Sequence, residues 1–261
     1  MKPSEQKEIK RLSIIGAGNV AQAFMSCVAE TIDIVEVFVR NKGKARQIEA
    51  EFGLKTCSHI QDLNTTIDAF LICVPDKAIV EVSAQLPKTI PHLHCSGNTS
   101  IDVLSSEIKA VLYPLQTFSE GRKVEFKITP ILIESNSNSF ELTLTNFART
   151  FSDFIEKATS ENRQYVHLAA VFACNFSNYM QDIAEQILEK NDLPKHLLSA
   201  LIDESFEKLK TQSAKQAQTG PAERGDQNTI EAHLELLKNQ PSWQELYQNI
   251  SQGIIKRHGK L

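Results

Sequence analysis

The chain has 261 residues, a formal net charge of −4 and a hydrophobic fraction of 41%. This composition can bury the cores of one large or two smaller domains, and the slightly acidic balance gives no reason to expect a nucleic acid or an anionic membrane as partner. No apolar run is long enough to span a bilayer, and the first eight residues are polar, so we expect a cytoplasmic protein without a secretion signal. The five cysteines are widely spaced without metal-ligand spacing, so we expect reduced packing residues and no metal site.

The first predicted strand, residues 12–15, leads directly into Gly-Ala-Gly-Asn-Val-Ala at 16–21, and a helical composition follows. Gly16 permits a tight turn, Gly18 lets the backbone approach a pyrophosphate, and the small Ala21 allows the helix to pack closely on the strand. The helix N-terminus offers N–H groups and a positive dipole end to phosphates. The pattern predicts a dinucleotide site, with a purely structural turn as the alternative. The residues assigned to this part of the site are Gly16, Ala17, Gly18, Asn19 and Val20.

The end of the second predicted strand, residues 34–39, indicates which dinucleotide binds. An NAD site normally places a carboxylate there to accept the ribose hydroxyls, whereas this chain has Arg40, followed by Lys42, Lys44 and Arg46. Such a cluster would pair with a 2′-phosphate, so we expect NADP(H). The alternative is a solvated basic loop at the start of a surface helix. The cofactor-binding residues assigned here are Arg40, Asn41 and Lys44.

The remainder of the first half alternates strands with helices. Strands are predicted at 55–57, 67–74, 93–95, 110–113 and 129–134, with an edge strand at 154–158 and helices at 45–51, 77–85 and 139–151. Buried β-branched runs between helices predict a doubly wound, mostly parallel sheet covered on both faces. Open sheets of this kind bind ligands beyond the carboxyl ends of their strands. At those ends lie Val74 and Pro75, assigned to the cofactor, Ser96, assigned to catalysis, Gln116, assigned to the substrate, and Cys95, for which we favour core packing.

The pattern becomes wholly helical in the second half. One long helix is predicted over 166–190, with further helices at 195–213, 229–239 and 243–257. The expected architecture is therefore an α/β Rossmann domain, residues 1–158, followed by an all-α domain, residues 159–261.

Three polar residues of the long helix are candidates for chemistry. His167 can protonate an alkoxide or amine that develops during hydride transfer, because the pKa of histidine lies near working pH; the alternative is a histidine bonded at a domain interface. Asn175 and Asn178 lie eight and eleven residues further on, which places them on or near the same face of an uninterrupted α-helix. Asn175 is assigned to catalysis and Asn178 to substrate binding, with helix–helix hydrogen bonds as the alternative for both.

The loop at 219–226 has two candidate functions. Asp226 can cap the helix that follows. Arg224 suits bidentate capture of a carboxylate or phosphate of the substrate, although an internal pair with Glu223 or Asp226 is the competing interpretation.

With these motifs identified, the chain resembles the reductases with a Rossmann domain and a helical domain that are related to pyrroline-5-carboxylate reductase, prephenate dehydrogenase and 6-phosphogluconate dehydrogenase. It resembles more closely a bacterial group provisionally named NADP oxidoreductases, whose C-terminal helical domain has no known function. This closer match is carried by residues 16–21, 95–97, 113–118, 167–176 and 219–226. Relatives of this build are commonly dimers through the helical domain, so the resemblance implies a homodimer.

Departures from the characterised relatives leave the substrate open. The stretch 166–180 lacks the lysine used by hydroxyacid dehydrogenases, Tyr113-Pro114 replaces the His-Pro of prephenate dehydrogenases, and residues 219–222 only loosely match the turn of pyrroline-5-carboxylate reductases. We therefore expect an enzyme, an NADP(H)-dependent oxidoreductase that reduces a C=O or C=N bond of a small anionic metabolite. The alternative is a catalytically silent NADP-binding module that senses redox state.

Overall fold

A computed structural model describes residues 8–28 and 31–259 of the chain. The polar residues 1–7, on which the expectation about a secretion signal was partly based, lie outside the described part. Eight strands within the described residues form one sheet, with strand order β3-β2-β1-β4-β5-β6-β7-β8. Its strands are β1 (Arg11–Ile15), β2 (Asp33–Phe38), β3 (Thr56–Cys57), β4 (Ala69–Ile72), β5 (His92–His94), β6 (Lys109–Pro114), β7 (Ile131–Ser135) and β8 (Ile155–Lys157).

The sheet is the predicted doubly wound, mostly parallel one. All neighbouring strands run parallel except β6 and β7. Order 3-2-1-4-5-6 places the carboxyl end of β1 at the point where strand order reverses, which is where such folds bind nucleotides. The helices that accompany it are α1 (Asn19–Val28), α2 (Lys42–Phe52), α3 (Asp76–Gln85), α4 (Asn138–Arg149) and α5 (Ser160–Ala170).

Two hydrophobic cores cover the two faces of the sheet. Leu12 and Ile14 of β1 belong to one core and Ile15 to the other, because successive side chains of a strand point to opposite faces. All three side chains are fully buried. The near-continuous apolar strands of the sequence are thus explained by burial on both sides.

Packing divides the chain into two compact units, Met1–Phe172 and Ala173–Leu261. The second unit contains α6 (Ser177–Glu189), α7 (Ser199–Thr211), α8 (Ala214–Ala217), α9 (Pro221–Arg224), α10 (Gln227–Leu236) and α11 (Pro241–Arg257). The sequence pattern changes near residue 158, but α5 belongs to the first unit because its Arg163 is fully buried there.

The prediction of one helix over 166–190 is wrong in two respects. The helix begins at Ser160, where the Thr159 hydroxyl accepts a hydrogen bond from the Asn162 N–H (3.2 Å). Residues Val171–Phe176 are π-helical and not α-helical. The α-helical rotation that was used to align His167 with Asn175 and Asn178 therefore does not apply. No helix in the described part of the chain has both the length and the apolar character needed to cross a membrane.

Candidate cofactor and active site

The glycine turn after β1 is held between two strands. The Gly16 N–H donates to the Phe38 carbonyl at 3.0 Å. Its φ is +119°, and a Cβ at this position would lie 2.6 Å from the Cys73 carbonyl oxygen. Both the backbone conformation and the contact with the end of β4 require glycine.

Gly18 is a glycine for a different reason. Its φ lies outside the left-handed region, and a Cβ built on it would meet no protein atom within 4 Å. Neither backbone strain nor packing within the protein requires glycine here, whereas close approach of a phosphate would. The first turn of α1, which begins at Asn19, carries no acidic residue that would repel an anion. The turn therefore fits a dinucleotide, with Ala17 and Val20 half-buried beside it.

The basic cluster lies at the end of β2 as predicted. Arg40 is exposed, and within residues 8–28 and 31–259 it has no hydrogen-bond or ion-pair partner. The Lys44 ammonium lies 3.1 Å from Gln47 Oε1 and 3.4 Å from Glu120 Oε1. Asn41 caps α2, since its side chain accepts from the N–H groups of Gly43 and Lys44. This cap orients the start of α2 and with it Lys44.

Val74 and Pro75 follow β4 on the other side of the glycine turn. Val74 Cγ1 would be 3.4 Å from a Cβ on Gly16, and the exposed Pro75 precedes α3 as its N-cap. Val74 and Pro75 thus lie, like Gly18, beyond the carboxyl ends of the parallel strands.

Ser96 stabilises a turn. Its hydroxyl donates to Thr99 Oγ1 (2.9 Å) and accepts from the N–H groups of Asn98 (3.1 Å) and Thr99 (2.9 Å). The single hydroxyl proton is therefore used within the turn. The structure gives Ser96 a structural role, and its contact with substrate stays a prediction.

The most suggestive pair of side chains is Tyr113 with His167. The Tyr113 hydroxyl lies 3.2 Å from His167 Nδ1, and the two rings meet edge to face. A Cβ on Gly97 would lie 2.7 Å from Tyr113 Cζ and 2.8 Å from His167 Nδ1, so only glycine leaves room for both rings. The pair forms where β6 ends and Gly97 follows β5, at the ligand-binding edge of the sheet.

A buried arginine connects α5 to this turn. Arg163 is fully buried; its guanidinium donates to the carbonyls of Ser96 (3.1 Å, from Nε) and Thr99, and forms an ion pair with Glu134. The Glu134 carboxylate also accepts from Ser160 at the start of α5. Because Arg163 precedes His167 by one helical turn, these bonds fix the helix segment that carries His167.

Burial controls the charge states around the site. It raises the pKa of the Tyr113 hydroxyl, with the Arg163 charge acting in the opposite direction. Burial, followed by the charge of Arg163, lowers the pKa of His94 to about 4. Burial also raises the pKa of the Cys95 thiol, which lies 3.6 Å from Cys73 Sγ, so Cys95 is a neutral packing residue at neutral pH.

The remaining candidates are exposed. Gln116 lies in the loop after β6, where its side chain accepts from the Thr117 N–H at 2.8 Å. In the second unit, Asn175 and Asn178 are exposed, and Arg224 is exposed at the end of α9. The predicted cap is confirmed, since Asp226 accepts from the Thr229 N–H and hydroxyl, and these two bonds lower the Asp226 pKa.

The sequence did not assign Tyr113, Gly97 or Arg163 to the site. Tyr113 and Gly97 lay within two of the segments that carried the family resemblance, which was the available signal. Arg163 had no signal, because a single arginine in a polar stretch of helix reads as a surface residue.

Comparison with known proteins bears on this architecture. Residues 11–95 match the family described as NADP oxidoreductase, coenzyme F420-dependent, and residues 129–254 match a domain of unknown function, DUF2520. A search of curated proteins found no match.

Solved structures match along almost the entire chain. A Bacteroides fragilis protein provisionally named an NADP oxidoreductase is 32% identical, with 95% of this chain and 98% of that one covered and a TM-score of 0.88. A pyrroline-5-carboxylate reductase from Streptococcus pyogenes is 15% identical, with coverages of 96% and 98% and a TM-score of 0.62. An imine reductase from Myxococcus stipitatus, solved with NADP⁺, is 11% identical, with coverages of 96% and 93% and a TM-score of 0.64.

The last two similarities concern the fold alone, whereas the first extends to the sequence. The chain therefore belongs to the family of the Bacteroides fragilis protein. In this chain, the segment that matches the NADP oxidoreductase family is followed by the segment that matches DUF2520.

Proposed function

We propose that this protein is an NADP(H)-dependent oxidoreductase that reduces a C=O or C=N bond of a small anionic metabolite. The observation that carries the proposal is the Tyr113–His167 pair over Gly97, at the same sheet edge as the glycine turn. The names of the Bacteroides fragilis and Myxococcus stipitatus proteins support the reaction class. A site that places a proton donor beside a dinucleotide cradle suits hydride transfer.

Separate residues would hold separate parts of the cofactor. The Gly16–Gly18 turn and the start of α1 would bind the pyrophosphate, and Val74 and Pro75 would line the ribose next to it. Arg40 and Lys44 would pair with the 2′-phosphate. When bound, the nicotinamide supplies the hydride.

The protein's part in the reaction is to supply the proton. The raised pKa of Tyr113 keeps its hydroxyl protonated at neutral pH, so its uncharged oxygen can accept a hydrogen bond from His167 Nδ1. A protonated imidazole donates from both ring nitrogens, so Nε2–H stays available while Nδ1–H bonds to Tyr113. The proposed acid is the protonated His167, which gives its Nε2 proton to the developing alkoxide or amine and is left as a neutral imidazole, while Tyr113 fixes the ring orientation. Gln116 of the first unit is a proposed substrate contact. In the second unit, Asn175 is a proposed catalytic residue, and Asn178 and Arg224 are proposed substrate contacts.

NADPH oxidation measured against a panel of keto acids and cyclic imino acids tests the reaction. With an accepted substrate, His167→Asn should lower turnover about 10²-fold while leaving NADPH affinity nearly unchanged, as for the loss of one general acid. Tyr113→Phe should shift the pH profile of turnover, because the protonated His167 ring loses its hydrogen-bond partner at Nδ1. The exposed His196 offers a matched control, and His196→Asn should keep wild-type turnover. Wild-type turnover by His167→Asn would contradict the proposed acid.

Cofactor preference needs no substrate to be tested. Calorimetry should show tighter binding of NADPH than of NADH, and Arg40→Asp should remove or reverse the difference, because a carboxylate repels the 2′-phosphate. Equal wild-type affinity for the two cofactors would contradict the NADP assignment.

A silent NADP-binding module that reports redox state to a partner is the second candidate. It is favoured by the missing lysine in residues 166–180, the position used by hydroxyacid dehydrogenases. Tight NADPH binding without turnover on any substrate of the panel, together with capture of a partner only in one redox state, would favour this candidate.

We also propose a homodimer through the second unit. Helix α7 carries an apolar stripe of Ile202, Phe206 and Leu209, yet none of its residues is buried. The same unit has an open apolar groove of about 350 Å³ between α6, α10 and α11, lined among others by Met180, Ile183, Trp243, Leu246 and Ile254. Each copy of the chain carries one apolar α7 stripe and one apolar groove. In a symmetric dimer, α7 of each protomer can therefore cover the groove of its partner.

A further inference from the structure

The loop that follows β6 reaches both helix N-termini of the proposed cofactor site. The Phe118 carbonyl accepts from the Asn19 side-chain amide (3.1 Å) at the start of α1. The Glu120 carboxylate lies 3.4 Å from the Lys44 ammonium in the first turn of α2. Residues 118–122, here called the bridging loop, therefore lie where a dinucleotide would extend from α1 towards α2.

The two ends of the bridging loop differ in how firmly they are held. Phe118 packs against the buried Phe126, with ring centroids 6.4 Å apart. Glu120 lies in a tight turn closed by a bond from the Arg122 N–H to the Ser119 carbonyl (3.3 Å), with Gly121 at a φ of +72°. The Glu120 side chain is 75% exposed. The loop is thus anchored at Phe118, while the carboxylate on its tip can leave Lys44 at little cost.

The charge on Glu120 has the wrong sign for an NADP site. Lys44 is one of the two cations proposed to pair with the 2′-phosphate, and in the structure it already forms an ion pair with Glu120. An exposed ion pair of this kind contributes little stability, so a dianionic phosphate can displace it. While the loop stays close, the carboxylate and the phosphate repel one another.

We propose that Glu120 is a specificity-determining residue that competes with the 2′-phosphate of NADP(H) for Lys44. It weakens the binding of NADPH and leaves NADH, which has no 2′-phosphate, unaffected. This moderates the cofactor preference and speeds release of the cofactor, a step that limits turnover in many enzymes. The inference rests on the proposed NADP(H) function.

A double-mutant cycle measured by cofactor binding tests the competition. Wild type, Glu120→Gln, Lys44→Gln and the double variant are titrated with NADPH and NADH at low ionic strength, where surface charges are least screened. Glu120→Gln should tighten NADPH about 3- to 5-fold, the range of a partly exposed ion pair, and change NADH less than about 2-fold. In the Lys44→Gln background the same substitution should have a clearly smaller effect. Glu81→Gln removes an exposed carboxylate from α3 and should change neither affinity.

The outcomes separate this inference from the function on which it rests. Wild-type preference for NADPH, combined with no change in Glu120→Gln or equal tightening of both cofactors, overturns the role of Glu120 alone. The proposed role of Glu120 is also overturned if Glu120→Gln tightens NADPH binding as much in the Lys44→Gln background as in the wild type. If wild type binds NADPH and NADH equally, the NADP assignment fails, and the inference fails with it.

Discussion

The two units of the chain differ in how they bury apolar side chains. In the first unit, both faces of the sheet are covered, and side chains such as Phe24, Phe70 and Leu112 are completely buried. In the second, Ala222 and Ile230 are the buried hydrophobic residues among those described, while Leu201, Phe206, Leu209 and Leu236 are exposed.

The difference shows that helical amphipathicity does not by itself build a core. A two-sided parallel sheet sandwiches its strands between helices of the same chain, so its central strands are buried within one copy. Helices with apolar stripes need another apolar surface, which a second copy supplies in the proposed homodimer. The first unit is therefore expected to behave as self-sufficient and the second as half of an assembly.

The largest expected effect is on assembly. Phe206→Asp combined with Leu209→Asp places two charges in the proposed α7 contact and should convert a dimer into a monomer in light scattering at micromolar concentration. Asp203→Lys, on the polar side of α7, is the control and should keep the dimer mass. A wild-type protein that is monomeric and insensitive to salt would show that the exposed stripe has no second copy as its partner.

Replacing Arg163 should lower the stability of the first unit and leave that of the second unit unchanged. Arg163→Met leaves the Glu134 carboxylate without its buried cation, and breaking such a pair costs about 3–5 kcal/mol. Urea unfolding followed by hydrogen exchange should show the loss in β5–β7 and α5. The exposed Arg149, substituted as Arg149→Met, should lower stability by less than about 0.5 kcal/mol. An equal loss of protection in α10 and α11 would contradict the independence of the two units.

The two glycines of the turn should respond in opposite ways. Gly16→Ala meets the Cys73 carbonyl and an unfavourable φ, and should lower the free energy of unfolding by about 2–4 kcal/mol. Gly18→Ala should leave stability within about 0.5 kcal/mol but weaken NADPH binding about 10-fold or more. Thermal unfolding and cofactor titration of both variants separate the two roles. Undiminished NADPH binding by Gly18→Ala would mean that the cofactor does not approach this position.

Acid should destabilise the first unit through two buried histidines. Burial lowers the pKa of both His92 and His94 to about 4, below the ordinary value of 6.5. The unfolded chain then binds more protons than the folded one, so stability is lost as the pH falls from about 6.5 towards 4. Between pH 7 and 5 each histidine should contribute a loss of about 2 kcal/mol. His92→Gln should flatten the curve by that amount in urea unfolding; a curve with unchanged slope would contradict the lowered pKa of His92.

Much of the fold could be predicted from the local sequence pattern. The glycine motif, the buried strands and the edge strand β8 were predicted, because each strand of a doubly wound sheet is an apolar run that is followed by a turn and a helix. The helical second half was predicted from its helical apolar pattern, and the Asp226 cap from the preference for aspartate at helix N-termini. The start of α5 and the π-helical segment were missed, because a cap at Thr159 and a change of helix type leave no periodic signal in the sequence.

The sequence by itself determined that a dinucleotide turn precedes a basic strand end, because such a turn is local and needs glycines at fixed spacing. Only the tertiary structure decided that Tyr113, Gly97, Arg163 and His167, which come from separate segments, form one cluster. It also decided that the Ser96 hydroxyl is used within its own turn and that Lys44 already has Glu120 as partner. The contacts of Tyr113 with His167 and of Lys44 with Glu120 join residues that are distant along the chain. The spacing of residues in the sequence cannot predict such contacts, because tertiary packing brings the residues together.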